Sequence, residues 1–94
     1  MLYWKYMELN QAEKILKALA NRRRLKIVKY LEKNKKASVS ELSGHLKLSF
    51  KSTSKHLAVL KSADIVQSEQ VSLACLYSLN EPANPLVAQL LSIV

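Results

Sequence analysis

Glycine is almost missing from this 94-residue chain, which has one glycine, two prolines and one cysteine. So little glycine excludes the glycine-rich phosphate cradles of P-loop and dinucleotide-binding folds. With so few prolines as well, collagen, long flexible linkers and most turn-dense all-β folds are excluded. A lone cysteine forms no intrachain disulfide and no four-thiolate zinc site, which fits a reducing cytoplasm. No apolar run approaches the roughly 20 residues that span a membrane as a helix. The opening Met1-Leu2-Tyr3-Trp4-Lys5-Tyr6 lacks the apolar stretch and small-residue cleavage site of a secretory leader. The length fits one small domain over residues 1–94, with one modest core.

Positive charge is missing from one part of the chain only. All fifteen lysines and arginines lie within residues 1–61, with four of the seven acids; residues 62–94 hold no base. A basic body favours a polyanionic partner. The apolar tail favours burial against another protein. Solubility alone would also account for excess lysine, so charge needs support from the pattern.

That pattern is mainly helical. Asn10 and Glu13 read as a capping box, followed by an apolar stripe at Ala12, Ile15, Leu16 and Leu19. Asn21 reads as a second N-cap, before Leu25, Ile27, Val28 and Leu31. Ser38 and Glu41 form another capping box, opening a short helix with Val39, Leu42 and Leu46 inward. Lys47-Leu48 makes a tight connection, and Ser49 caps a helix from Phe50 to Ala63 with Thr53, Leu57 and Leu60 on one face. Residues 38–63 thus read as a helix-turn-helix. After Asp64 the period shortens. Runs from Ile65 and from Leu73, separated by Gln70-Val71-Ser72, predict a hairpin over residues 65–79. Pro85 suits the first turn of a last helix running through Leu86 to Val94. The fold class is mainly α with a small β-hairpin (α+β), in the order helix, helix, helix-turn-helix, hairpin, helix. A helix-turn-helix followed directly by a hairpin is a winged helix.

At this point the chain resembles the ArsR/SmtB type of small winged-helix repressors. The resemblance rests on Leu16-Lys17-Ala18-Leu19-Ala20-Asn21, Arg24-Leu25-Lys26-Ile27-Val28 and Val39-Ser40-Glu41-Leu42. It continues through Leu48-Ser49, Ser54-Lys55-His56-Leu57, Val59 to Val66, and Leu76-Tyr77-Ser78-Leu79. It implies a homodimer that binds double-stranded DNA, with the first and last helices (regions 1–20 and 83–94) as the interface. Ile15, Leu19, Leu86, Leu90 and Leu91 are the interface candidates. Members that sense metals do so through cysteines where this chain has Ser38 and Ser40, poor ligands for soft metals, or through Asp and His on the last helix, which has neither here. No metal and no cofactor are therefore expected. The arginines and glycine usual in the family's wing are replaced by Gln67, Glu69, Gln70, Ser72 and Leu73, an unpromising phosphate contact. The family's glycine after the recognition helix is Asp64 here, a residue that tolerates a left-handed backbone.

At about 100° per residue, burial of Thr53, Leu57 and Leu60 turns Lys51, Lys55 and Val59 outward. Ser52 flanks them, and Ser54 and His56 lie at the edges. Short polar residues and cations on one helical face suit a major groove. Lys47, Ser49, Lys61 and Arg24 complete the candidate DNA-binding set; Ser49 and the open amides behind it form an anion site. Specificity is expected to be modest, because no Arg, Asn or Gln on this face offers bidentate pairing. Arg22 and Arg23 oppose the dipole of the helix they open. His45 reads as a packing or surface residue, Cys75 as a small buried hydrophobe, and the cluster Tyr3, Trp4, Tyr6 and Met7 as packing. The reading is a homodimeric DNA-binding repressor that is not an enzyme, since acids and histidines are scattered rather than paired. A winged-helix protein-interaction module is the alternative. Nothing in the sequence names an effector.

Overall fold

A computed structural model describes residues 7–94. The N-terminal aromatics Tyr3, Trp4 and Tyr6 lie outside these residues, and Met7 packs half-buried against the core. The element order is α1 (Leu9–Leu19), α2 (Arg22–Asn34), β1 (Lys36–Ser38), α3 (Val39–Leu46), α4 (Phe50–Ser62), β2 (Val66–Val71), β3 (Ala74–Leu79) and α5 (Pro85–Leu91). Among the described residues, no helix is long and apolar enough to cross a membrane.

The caps follow local chemistry. Asn21 Oδ1 accepts from the Arg23 and Arg24 amides at 2.9 and 3.1 Å. Ser38 and Glu41 close the capping box reciprocally, with both bonds near 3 Å. Ser49 Oγ accepts from the Ser52 amide at 3.0 Å. The first helix departs from expectation. It begins at Leu9 with Glu8 as its cap residue and no side-chain cap bond, so Asn10 already lies inside the helix.

Between α2 and α3 the chain makes a three-residue strand that the sequence pattern does not reveal. β1 pairs antiparallel with β3, Ala37 opposite Tyr77, so the sheet order is β1-β3-β2. The hairpin turn also shifts. Val71 pairs with Ala74, leaving Ser72 and Leu73 as a two-residue loop. Ser72 has φ 57°, a positive first loop position that hairpin turns ordinarily give to glycine.

Helices α1 to α4 and the base of the sheet enclose a core in which Ile27, Val28, Leu42, Leu57 and Leu60 are fully buried. Ile15 and Leu19 belong to this same core, 2% and 5% exposed. Their place is thus inside one chain, and the exposed apolar residues of α1 are Leu9 and Leu16. The last helix is shorter than its apolar run, ending at Leu91. Val87 is buried, Leu86, Leu90 and Leu91 are half-buried against the core, and Ile93 and Val94 are exposed. Cys75 is half-exposed rather than buried; the Tyr77 hydroxyl has its pKa raised first by its own partial burial and then by the neighbouring Cys75 thiol.

Candidate nucleic-acid interface

The candidate site is built on α4. Thr53, Leu57 and Leu60 are fully buried against the rest of the fold. The Thr53 hydroxyl escapes a desolvation penalty by donating to the Ser49 carbonyl at 2.9 Å. One helical face is thereby fixed, and the opposite face follows. Lys51, Ser52, Lys55 and Val59 are exposed, with Ser54 and His56 half-exposed at its margins. No acid occurs anywhere in α4, so the face carries uncompensated positive charge.

The approach to α4 is equally determined. Lys47 adopts a left-handed backbone, φ 56° and ψ 44°, at the end of α3. This one residue turns the chain so that Ser49 can cap the next helix. Lys47 and Ser49 are exposed beside the first turn of α4, where helix geometry leaves the leading amides without intrahelical acceptors. At the far end Asp64 has φ 59°, the left-handed exit expected of it. Its carbonyl accepts from Asn80 Nδ2 at 2.6 Å, and the Ile65 amide reaches back to the Leu60 carbonyl at 3.0 Å. These bonds fix the hairpin against the end of α4.

Two candidate cations are already engaged. Lys61 Nζ donates to Ser68 Oγ of β2 at 2.6 Å, a bond at an exposed site. Arg24 is held more firmly. Its guanidinium donates from Nε to the Ala18 carbonyl at 2.5 Å, from Nη2 to the Lys17 carbonyl at 3.3 Å and from Nη1 to His56 Nδ1 at 3.2 Å. The pKa of His56 lies below the ordinary imidazole value, first through partial desolvation, then through the charges of Arg24 and Arg23. The His45 ring stands 4.7 Å from that of Tyr30, centroid to centroid, as suits a packing residue.

The hairpin carries Val71 and Leu73 exposed at its tip, Leu73 at 98%. Its one acid, Glu69, is met by Lys36 of β1 at 3.3 Å. The sequence alone makes Lys36 a solvated base; it remains exposed, with Glu69 as its partner. Phe50 belongs to none of the candidate sets drawn from the sequence. It is 60% exposed at the first position of α4 and lines a cavity of about 390 Å³ with Ser40, Gln70, Leu73 and Cys75. Among the described residues, no three His, Cys, Asp or Glu side chains come together in metal-ligating proximity.

Comparison with known proteins agrees with this geometry. Residues 21–68 match the family described as bacterial regulatory protein, arsR family. The chain is 41% identical over 76 residues to the transcriptional activator HlyU of Vibrio cholerae, covering 79% of this chain and 69% of that protein. The solved structure of the transcriptional repressor PagR of Bacillus anthracis superposes with a TM-score of 0.78 at 31% identity, covering 95% of this chain and 98% of that one. A structure described as the homodimeric winged helix-turn-helix DNA-binding domain of Mb0332 from Mycobacterium bovis gives 0.81 at 27% identity, over 90% and 79%. With the capped helix pair, the αL exit at Asp64 and the three-stranded wing in place, the chain belongs to the arsR family of winged-helix bacterial regulatory proteins.

Proposed function

We propose that this regulator binds a two-fold-related site on double-stranded DNA as a homodimer, each copy laying α4 in the major groove. The observation that carries the reading is the acid-free face of Lys51, Ser52 and Lys55, opposite a fully buried Thr53, Leu57 and Leu60. Lys51 and Lys55 donate to guanine edges or phosphate, and Ser52 and Ser54 allow the backbone close approach. Lys47, Ser49 and Lys61 bracket the helix as phosphate contacts. The two α4 helices then enter successive grooves about 34 Å apart. No catalytic step and no cofactor form part of this function.

The dimer supports that spacing. Leu9 and Leu16 on α1 are exposed, as are Ile93 and Val94 just beyond α5, while Leu86, Leu90 and Leu91 are only half-covered. A symmetric partner buries such a surface economically. Relatives include both an activator and a repressor; repression by occupancy of the site is the mode proposed here.

The test is selection of duplexes from a random pool, followed by binding titrations across salt. Lys55→Ala should weaken binding to the selected duplex by about 1–3 kcal/mol, roughly 5- to 150-fold, and alter base preference. Unchanged affinity and preference would remove α4 from the groove. A reporter that falls when the protein is deleted would reverse the proposed sign of regulation.

A further inference from the structure

Arg24 was a phosphate-contact candidate, yet its guanidinium is already occupied on three sides. Two of its bonds go to the Lys17 and Ala18 carbonyls. These lie in the last turn of α1, where carbonyls lack intrahelical donors and carry the negative end of the helix dipole. The third goes to His56 Nδ1 at 3.2 Å. A guanidinium has five donors and no acceptor, so Nδ1 must accept. That requirement places the single ring proton on Nε2. An imidazolium would instead set an Nδ1–H against an N–H at 3.2 Å, with like charges facing. Arg24 is half-buried, while its neighbours Arg22 and Arg23 are exposed. Of the three consecutive arginines, Arg24 is the one whose guanidinium is bonded into the fold.

We propose that Arg24 is a positioning residue: by clamping the end of α1 to His56 it holds the imidazole as an Nε2–H donor at the edge of α4, and it does not contact phosphate. The proposal rests on the α4 reading above for the use of that donor. The clamp itself is a property of the free protein. It also gives a reason for a cation at the start of α2, where the helix dipole disfavours one: the Arg24 charge is answered by the opposite dipole end of α1. His56 then offers a neutral, oriented donor in place of a diffuse charge.

Two measurements test this. The first is the ring-nitrogen NMR of the free, full-length protein at neutral pH. Wild type should show a protonated Nε2 and a bare Nδ1 for His56. Arg24→Gln should give mixed tautomers and a raised His56 pKa, and Arg24→Lys should be intermediate. An Nδ1–H ring in wild type overturns the clamp without requiring any variant to fold. The second is the salt dependence of binding to the selected duplex. Each lost phosphate contact lowers the slope of log K against log salt by about 0.9. Arg24→Gln should weaken binding with the slope retained, and its effect should be non-additive with His56→Gln. A slope reduced by about 0.9 assigns Arg24 to phosphate, and strict additivity uncouples Arg24 from His56; either result overturns the proposal. If wild type shows no duplex preference, the α4 reading fails while the ring spectra still decide whether Arg24 sets the tautomer.

Discussion

Lys35, Lys47, Asp64 and Ser72 all take positive φ, while the chain's one glycine, Gly44, sits inside α3. A methyl group added at Gly44 would meet nothing within 4 Å. Gly44→Ala should therefore stabilise the protein by about 0.5–1 kcal/mol, read as a higher urea midpoint at unchanged slope. Lys35, at φ 73° and ψ −54°, occupies a strained region for a residue with a Cβ. Lys35→Gly should add about 1 kcal/mol by the same measurement. His56 makes stability depend on pH. Its pKa is lowered in the folded protein, so the unfolded chain binds the proton first. The contribution is complete above the ordinary imidazole value of about 6.5 and is lost as pH falls through the depressed folded value. Thermal unfolding from about pH 7.5 to 5.5 should show a steeper loss for wild type than for His56→Gln. Local rules made Asp64 legible, because a helix exit needs only its own neighbours. The clamp of Arg24 was not legible, because its acceptors come from α1 and α4 and meet only where these helices cross.

Capping chemistry is what made the helix-turn-helix readable. Ser38, Glu41, Ser49 and Asn21 each act within three residues of themselves, so sequence spacing and observed bond coincide. Ser49→Ala should cost about 1 kcal/mol, measured by unfolding, and, on the proposed α4 reading, should also weaken DNA binding. Leu57→Ala should cost about 2–5 kcal/mol, because a fully buried leucine leaves a cavity between α4 and the core. The same local logic misplaced the start of α1, where Asn10 offers good cap chemistry yet the cap position falls two residues earlier, at Glu8, without using it. β1 escaped notice for a different reason. Three residues carry too short a pattern, and their partner strand arrives forty residues later. The hairpin turn moved because Ser72 accepts a backbone conformation that composition alone assigns to glycine.

For the molecule as a whole, the proposed function assigns recognition and assembly to two separate surfaces. The interface was assigned in the sequence to a stripe that includes Ile15 and Leu19. An amphipathic pattern cannot say which apolar residues serve the chain's own core, and these two do. Leu9→Glu with Leu16→Glu is thus the cleaner test of the dimer, since both side chains are exposed. Sedimentation should show monomers with unchanged helix content; a persistent dimer would exclude α1 from the contact. The wing has the widest consequence. From Gln70 to Cys75 it presents no cation, and its apolar tip stands free. Backbone cleavage by hydroxyl radicals on a bound operator should accordingly show protection confined to the sugars bordering the two helix entries. The outer edges of the complex, where a basic hairpin would shield the narrow groove, should be cut as readily as naked duplex.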